Sequence, residues 1–365
     1  MKCNAPSPAE PGDLHLIADR LCERMRPYRR MVEAALEPLF RSDTPLDRAV
    51  GHALFGNAKR IRASLALIAS DAAGGHASDA LPIAVAFELL HTASLIHDDI
   101  MDDAEVRRGR ACVHRVFGIN LAITAGDALI FEAYRGLLDS FRRHPAAAAE
   151  RAIEIFTSRA AKACRGQALD LGFAHGSGSM RQYLTMVRAK TGSMLEAPLE
   201  CAAVLAGALP SSCDRFREYG RCLGIAFQIT DDVTDYLGSE ANAGKTLGND
   251  LRNGSGSALL IYAGHACSPV QRDMLTDAIQ RARMSHAADA VAPLATILEE
   301  HGAVEWTQRL CTRYADRALR ALKDIGVEPA RTELAAIATT IGRWRVSRPQ
   351  RSQGARHEAR HAVVH

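Results

Sequence analysis

The chain has 365 residues, 47% hydrophobic and 24% charged, with a formal net charge of +3. This is the composition of a globular protein with ample material for a core, and the near balance of charge excludes a strongly basic nucleic-acid binder. The 9 cysteines include no Cys-x-x-Cys and no histidine at zinc spacing, so they predict reduced thiols in a cytoplasm rather than a disulfide framework.

In chain order, residues 1–12 are polar and proline-rich, without the apolar block of a signal peptide. Helical periodicity then dominates residues 13–342. "LIADRLCERMRPYRRMVEAAL", "AVAFELLHTASLIHDDI", "ALIFEAYRGLLDSF" and "EWTQRLCTRYADRALRALKDI" repeat apolar residues at intervals of three and four. Alternating β-branched runs are missing, so strands have no evident home. Breaks fall at Gly-, Pro-, Ser- and Asn-rich stretches such as "AAGGHASDALP", "AGALPSSCD" and "LGSEANAGKTLGND", which are too short for domain linkers. Residues 343–365, rich in Arg and His, are expected to be a disordered basic tail. No apolar run reaches the length that crosses a bilayer. The prediction is one all-α domain, soluble, with loose ends.

The stretch "ELLHTASLIHDDIMDDAEVRRG" places Asp98, Asp99, Asp102 and Asp103 after an apolar helix. Residues three and four apart share a helical face, so Asp98 and Asp102, or Asp99 and Asp102, line one edge, with His91 two turns earlier. "FQITDDVTDYLG" repeats the spacing at Asp231, Asp232 and Asp235, with Gln228 one turn before. One such cluster is as often a solvated helix end as a site, but two copies on apolar helices point to function. All-oxygen ligand sets suit Mg²⁺, whose shell is usually completed by substrate phosphates. Neither segment has the acid pattern and central glycine of a calcium-binding EF-hand loop. Two carboxylate walls therefore imply a polyphosphate ligand bridged by metal.

Cations complement them: Lys59, Arg60 and Arg62 in "FGNAKRIRASL", Arg107 and Arg108 in "EVRRG", Lys190 beside Thr191 in "RAKTG", and Lys245 in "NAGKTLGND". Arginine's fork matches phosphate oxygens and lysine supplies a point charge. Taken singly, each is more often a surface cation, and Arg60 is expected to be solvated.

Four blocks in order resemble the all-trans isoprenyl (polyprenyl) diphosphate synthases over roughly residues 15–342. They are Gly56 to Arg62, the first aspartate motif with Arg107-Arg108-Gly109, Lys190-Thr191-Gly192, and Phe227-Gln228 through Asp235 to Gly244-Lys245 and Gly248-Asn249-Asp250. The resemblance implies a large antiparallel helical bundle around a central cavity, a homodimer, and condensation of isopentenyl diphosphate with an allylic diphosphate. It implies that Asp98 and Asp102 on one wall and Asp231 on the other bind Mg²⁺, with Asp99, Asp232 and Asp235 supporting them directly or through ligand waters. Arg107, Lys190, Thr191, Gln228 and Lys245 would serve the allylic diphosphate, and Lys59, Arg62, His91 and Arg108 a metal-free isopentenyl diphosphate pocket. His97 would orient its neighbours. Two departures stand out: Asn57-Ala58 replaces Gly-Gly, and Ser255 stands where relatives commonly have lysine.

In such enzymes the residues one turn before the first aspartate floor the tail tunnel. Here they are small, Ala93 and Ser94, which implies a product of twenty carbons or more, geranylgeranyl or longer, unless a second layer including Phe131 or Leu171 closes it. Three other readings remain at this stage. A class I terpene cyclase would need Glu where Ile261 follows Asn253 and Ser257. A non-catalytic subunit of a heteromeric synthase would be expected to lose its aspartates. A His97-Asp98 phosphohydrolase leaves the second motif idle.

Overall fold

The protein is described by a computed structural model that covers residues 12–13, 16–172, 178–237, 256–284, 292–323 and 325–345. After a two-residue strand, β1 (Gly12–Asp13), come α1 (Ile17–Arg24) and α2 (Arg26–Leu36). The single helix expected there breaks at Met25, because Pro27 at the start of α2 has no N–H to continue the ladder. Next come α3 (Pro45–Leu54), α4 (Ile61–Ala72) and α5 (Leu81–Met101). A hairpin of β2 (Val106–Arg107) and β3 (Arg110–Ala111) leads into α6 (Val113–Phe117), α7 (Ile119–Arg143) and α8 (Ala146–Leu171).

Then α9 (Met180–Val187) passes through one π-helical turn (Arg188–Gly192) directly into α10 (Ser193–Leu205). The 28-residue α11 (Pro210–Leu237) follows. The remaining described helices are α12 (Ala258–Ala266), α13 (Pro269–Met284), α14 (Ala292–Glu300), α15 (Ala303–Ala321) and α16 (Ala330–Gly342). The bundle is all-α as expected. Its strands are only two residues long, too short to leave an alternating pattern in the sequence.

The centre is built from helices with almost no polar face. Both α4 and α10 are buried nearly all round, as helices apolar on every side must be. Around them, α5 packs on α7 and α4, while α11 packs on α10 and α15. The exceptions on α10 are Glu196 and Glu200, each about 2% exposed and met by Arg159, Lys162 and Arg217 from the flanking helices. Buried carboxylates survive only when paired in this way.

The folded unit runs past the boundary expected at residue 342. Trp344 is 1% exposed, its carbonyl accepts from Gln308 Nε2, and β4 (Trp344–Arg345) pairs in parallel with β1. Residues 1–11 and 346–365 lie outside the described residues. Among those described, no helix is long and apolar enough to cross a membrane.

Backbone meets backbone where α10 and α11 cross. A Cβ on Gly220 would stand 2.6 Å from the Leu195 carbonyl oxygen, inside any real contact. Gly220→Ala must push the two helices apart, and we expect a loss of about 2 kcal/mol in stability, read from the urea midpoint.

Candidate active site

The first aspartate motif closes α5. Asp102 is the C-cap, Asp103 turns left-handed (φ 49°), and the Ala104 and Asp103 N–H groups donate back to the Asp99 and Ile100 carbonyls. This is a Schellman closure with aspartate in the place glycine usually takes. The Asp103 carboxylate leaves the site altogether and pairs with Arg115 at 2.7 Å. The chain then forms the β2–β3 hairpin, whose two turn residues, Arg108 (φ 55°) and Gly109 (φ 75°), both have positive φ, as a tight two-residue hairpin turn requires. The fold-back brings Arg107 onto Asp99: its Nε and Nη2 donate to Oδ1 at 2.7 and 2.6 Å.

The second motif lies in the last two described turns of α11. Asp232, 3% exposed, accepts from Gln228 Nε2 at 2.9 Å and from the Tyr183 hydroxyl at 2.6 Å. Thr191 Oγ1 donates to Gln228 Oε1 at 2.6 Å, so a hydrogen-bonded chain runs from the π turn into the motif. Asp235 is fully buried, and Asp231 is half-buried.

Lys190 stands between α8 and the first wall. Its Nζ donates to Asp170 Oδ2 of α8 at 2.6 Å. Burial works against its charge, yet Asp170, Asp98 and Asp102 together raise it above the ordinary lysine range. The π turn that aims it is held by α8, because Gly166 lies against the Lys190 backbone so closely that no side chain would fit. Such π turns recur at functional sites because they re-aim side chains that a regular helix could not.

At Asp98 the neighbouring cations do not offset burial. Burial pushes its pKa up, Asp99 and Asp170 add to that, and Lys190 and Arg107 oppose it only in part.

Behind the walls lies a basic pocket. Arg62 Nη1 donates to His91 Nε2 at 2.9 Å, so this His91 nitrogen carries no proton. Burial, with Arg62, Arg108, Arg107 and Arg60 nearby, holds His91 well below the usual histidine range, hence neutral. Burial likewise lowers Arg62 to about 10. Arg108 adds to that, while Glu88, Asp231 and Asp98 act in the opposite sense. Both aspartate motifs therefore lie within electrostatic reach of one guanidinium.

Several expectations are revised. Arg60, expected to be solvated, is 3% exposed and forms a buried ion pair with Glu88 at 2.9 Å, an internal strut that no helical spacing on α4 could reveal. Lys59 is exposed, and its field is felt at Cys22 of α1. His97 packs on Gly126 of α7, with Asp127 at 3.7 Å. Phe131 and Leu171 are 71% and 61% exposed, so within one chain neither forms a second layer closing the interior. Ala93 is fully buried. Ser94 is exposed, and its hydroxyl donates to the His91 carbonyl. Ser257, noted in the cyclase comparison, caps α12 by accepting from the Leu260 N–H. Lys245 and Ser255 lie outside the described residues.

Sequence reasoning missed Asp170 and Tyr183. Both act across helices, and only the polar residues of "GQALDL" hinted at the first. Among the described residues no three acidic, imidazole or thiol groups are gathered tightly enough to close a metal site alone. The carboxylates form two walls rather than a cage.

Residues 43–296 match the polyprenyl synthetase family. The chain belongs to that family. It is 34% identical over 320 residues to the short chain isoprenyl diphosphate synthase of Methanothermobacter thermautotrophicus, covering 87% of this chain and 96% of that one. To the octaprenyl diphosphate synthase of Escherichia coli it is 30% identical over 309 residues, 84% and 93% of the two chains. The geranylgeranyl pyrophosphate synthase of Corynebacterium glutamicum, solved with isoprenyl diphosphate and magnesium, superposes with a TM-score of 0.77 at 27% identity, covering 91% and 100%. The chain is thus a prenyltransferase that condenses isopentenyl diphosphate with an allylic diphosphate to an all-trans polyprenyl diphosphate.

The raised pKa of Asp98 has a sign that can be checked. A carboxyl whose folded pKa exceeds its unfolded value destabilises the fold wherever it is ionised. Asp98→Asn should therefore raise the Tm of the metal-free protein at neutral pH. The advantage should vanish as pH falls through the usual carboxylate range, where the wild-type carboxyl is protonated as well.

Proposed function

We propose that the ends of α5 and α11 hold Mg²⁺ through Asp98, Asp102 and Asp231, and that these ions bind the diphosphate of the allylic substrate. In this reading Asp99, Asp232 and Asp235 support the ligands, the first two through Arg107, Gln228 and Tyr183. The observation that carries it is convergence: Asp98 and Asp231 both act on Arg62, and Asp98 and Asp102 both act on Lys190. The donors fit the ion, being hard carboxylate oxygens on two walls with the shell left to phosphate, and Asp98 is a carboxyl that a cation would relieve. When bound, Mg²⁺ supplies Lewis-acid neutralisation of the leaving diphosphate.

The protein's own residues do the rest. Lys190, Arg107 and Lys245 direct positive charge at the oxygen that takes the electron pair as the allylic carbon–oxygen bond breaks. Lys59, Arg62, Arg108 and neutral His91 hold isopentenyl diphosphate beside the cation, and apolar helices keep water from it. The double bond of isopentenyl diphosphate forms the new carbon–carbon bond, and a proton leaves to the released diphosphate.

The product is geranylgeranyl diphosphate or longer. Below Asp98 on its own helical stripe come Ser94 and His91, and the first aromatic is Phe87, about 16 Å down the axis. There its ring meets Phe156 at 4.8 Å, and Tyr134 packs on Phe156 in turn. The relatives' names do not choose, since they span short-chain to octaprenyl enzymes. The active unit is a homodimer in a reducing cytoplasm. In support, α7 exposes a stripe of Ile119, Ile123, Phe131, Tyr134 and Leu138, and the eight described cysteines are free thiols.

Incubation with isopentenyl diphosphate, each allylic primer and Mg²⁺ should give prenols of at least twenty carbons; accumulation of a fifteen-carbon product would reject the length assignment. Asp98→Ala should lose turnover about a thousandfold with an unchanged circular dichroism spectrum, and near-normal activity would reject the metal assignment. Ser94→Phe should shorten the product by placing an aromatic one turn below the diphosphate.

A further inference from the structure

The Arg107–Arg108 hairpin cannot hold itself. Strands of two residues are far below the length that is stable alone, and Arg108 carries a side chain in a left-handed conformation that surrounding contacts must enforce. The cations also repel one another: beyond the effect of burial, Arg108 lowers the pKa of Arg62, and Arg60 and Arg107 lower that of Arg108. A site that keeps these cations close before an anion arrives needs an external brace.

His52 of α3 is positioned to be that brace. Its Nε2 lies 2.8 Å from the Ala111 carbonyl oxygen on β3. On the other side of the ring, Arg110 Nη2 lies 3.0 Å from Nδ1, and Arg110 Nη1 donates to the His52 carbonyl at 3.3 Å. A carbonyl can only accept and a guanidinium can only donate, so the ring must carry its proton on Nε2 and leave Nδ1 bare. Phe117 of α6 packs edge-on against the ring at 5.6 Å and limits its rotation. Four residues after His52 the chain reaches Gly56 and the Lys59–Arg62 element. The two basic segments thus share one hydrogen-bonded joint.

We propose that His52, in its neutral Nε2–H tautomer, is a positioning residue that locks the Arg107–Arg108 hairpin to the Lys59–Arg62 element and thereby sets the affinity for isopentenyl diphosphate. This rests on the assignment of Arg62 and Arg108 to that substrate. Preorganisation lowers the cost of binding without entering the chemical step, so the effect falls on KM.

In steady-state assays of the full chain, His52→Ala should raise KM for isopentenyl diphosphate about tenfold, the usual cost of losing a hydrogen bond to a charged group. Arg107 keeps its own anchor on Asp99, so the kcat and the KM for the allylic primer should stay within about twofold. Arg110→Ala should reproduce the change, and the double variant should be no worse than either single one, because both remove the same joint. His52→Gln, which keeps an N–H for the Ala111 carbonyl, should recover part of the affinity. An unchanged KM for isopentenyl diphosphate in both single variants would overturn the proposal. So would additive effects in the double variant, or a parallel loss of kcat and both affinities. A wild-type chain that turns over but is indifferent to Arg62→Ala and Arg108→Ala would instead sink the underlying assignment of the pocket.

Discussion

Everything in this site follows from placing carboxylates at the C-terminal ends of two helices. The last carbonyls of a helix already carry partial negative charge, so aspartates there are disfavoured twice, by the helix and by one another. The structure offsets part of this with Arg107 on Asp99 and with Gln228 and Tyr183 on Asp232. It leaves Asp98 undercompensated, with burial driving its pKa upward. In the proposed reading a divalent cation would offset the remaining deficit.

Three irregular backbone elements serve that charge arrangement. The left-handed Asp103 ends α5 and turns the chain back, and the hairpin turn at Arg108 and Gly109 returns Arg107 to the motif it has just left. The π turn aims Lys190 between Asp170 and Asp98, and tight crossings by α8 and α11 keep that turn in place. Local propensity is overridden at each of these points, and each lies beside the site, as expected where geometry rather than stability is being selected.

The helices and the ligand chemistry were legible in the amino-acid sequence because both are local properties. Apolar residues at three and four mark a helix wherever the helix packs, and Asp98 with Asp102, or Asp231 with Asp235, share a face by spacing alone. What could not be read was the use each charged residue makes of its neighbours. Arg60 and Arg62 are two residues apart, yet one is a buried strut on Glu88 and the other bonds His91 and feels the charge of both motifs.

The primary structure by itself determined an all-α bundle, two acidic helix ends and a set of cations able to bind diphosphate. Only the tertiary structure decided which aspartates are already satisfied, that Asp170 is the partner of Lys190, and that Phe131 and Leu171 face outward. The reason is physical. Periodicity is set by the turn of one helix, whereas these pairings join different helices, and nothing in the spacing along the chain encodes which faces will meet.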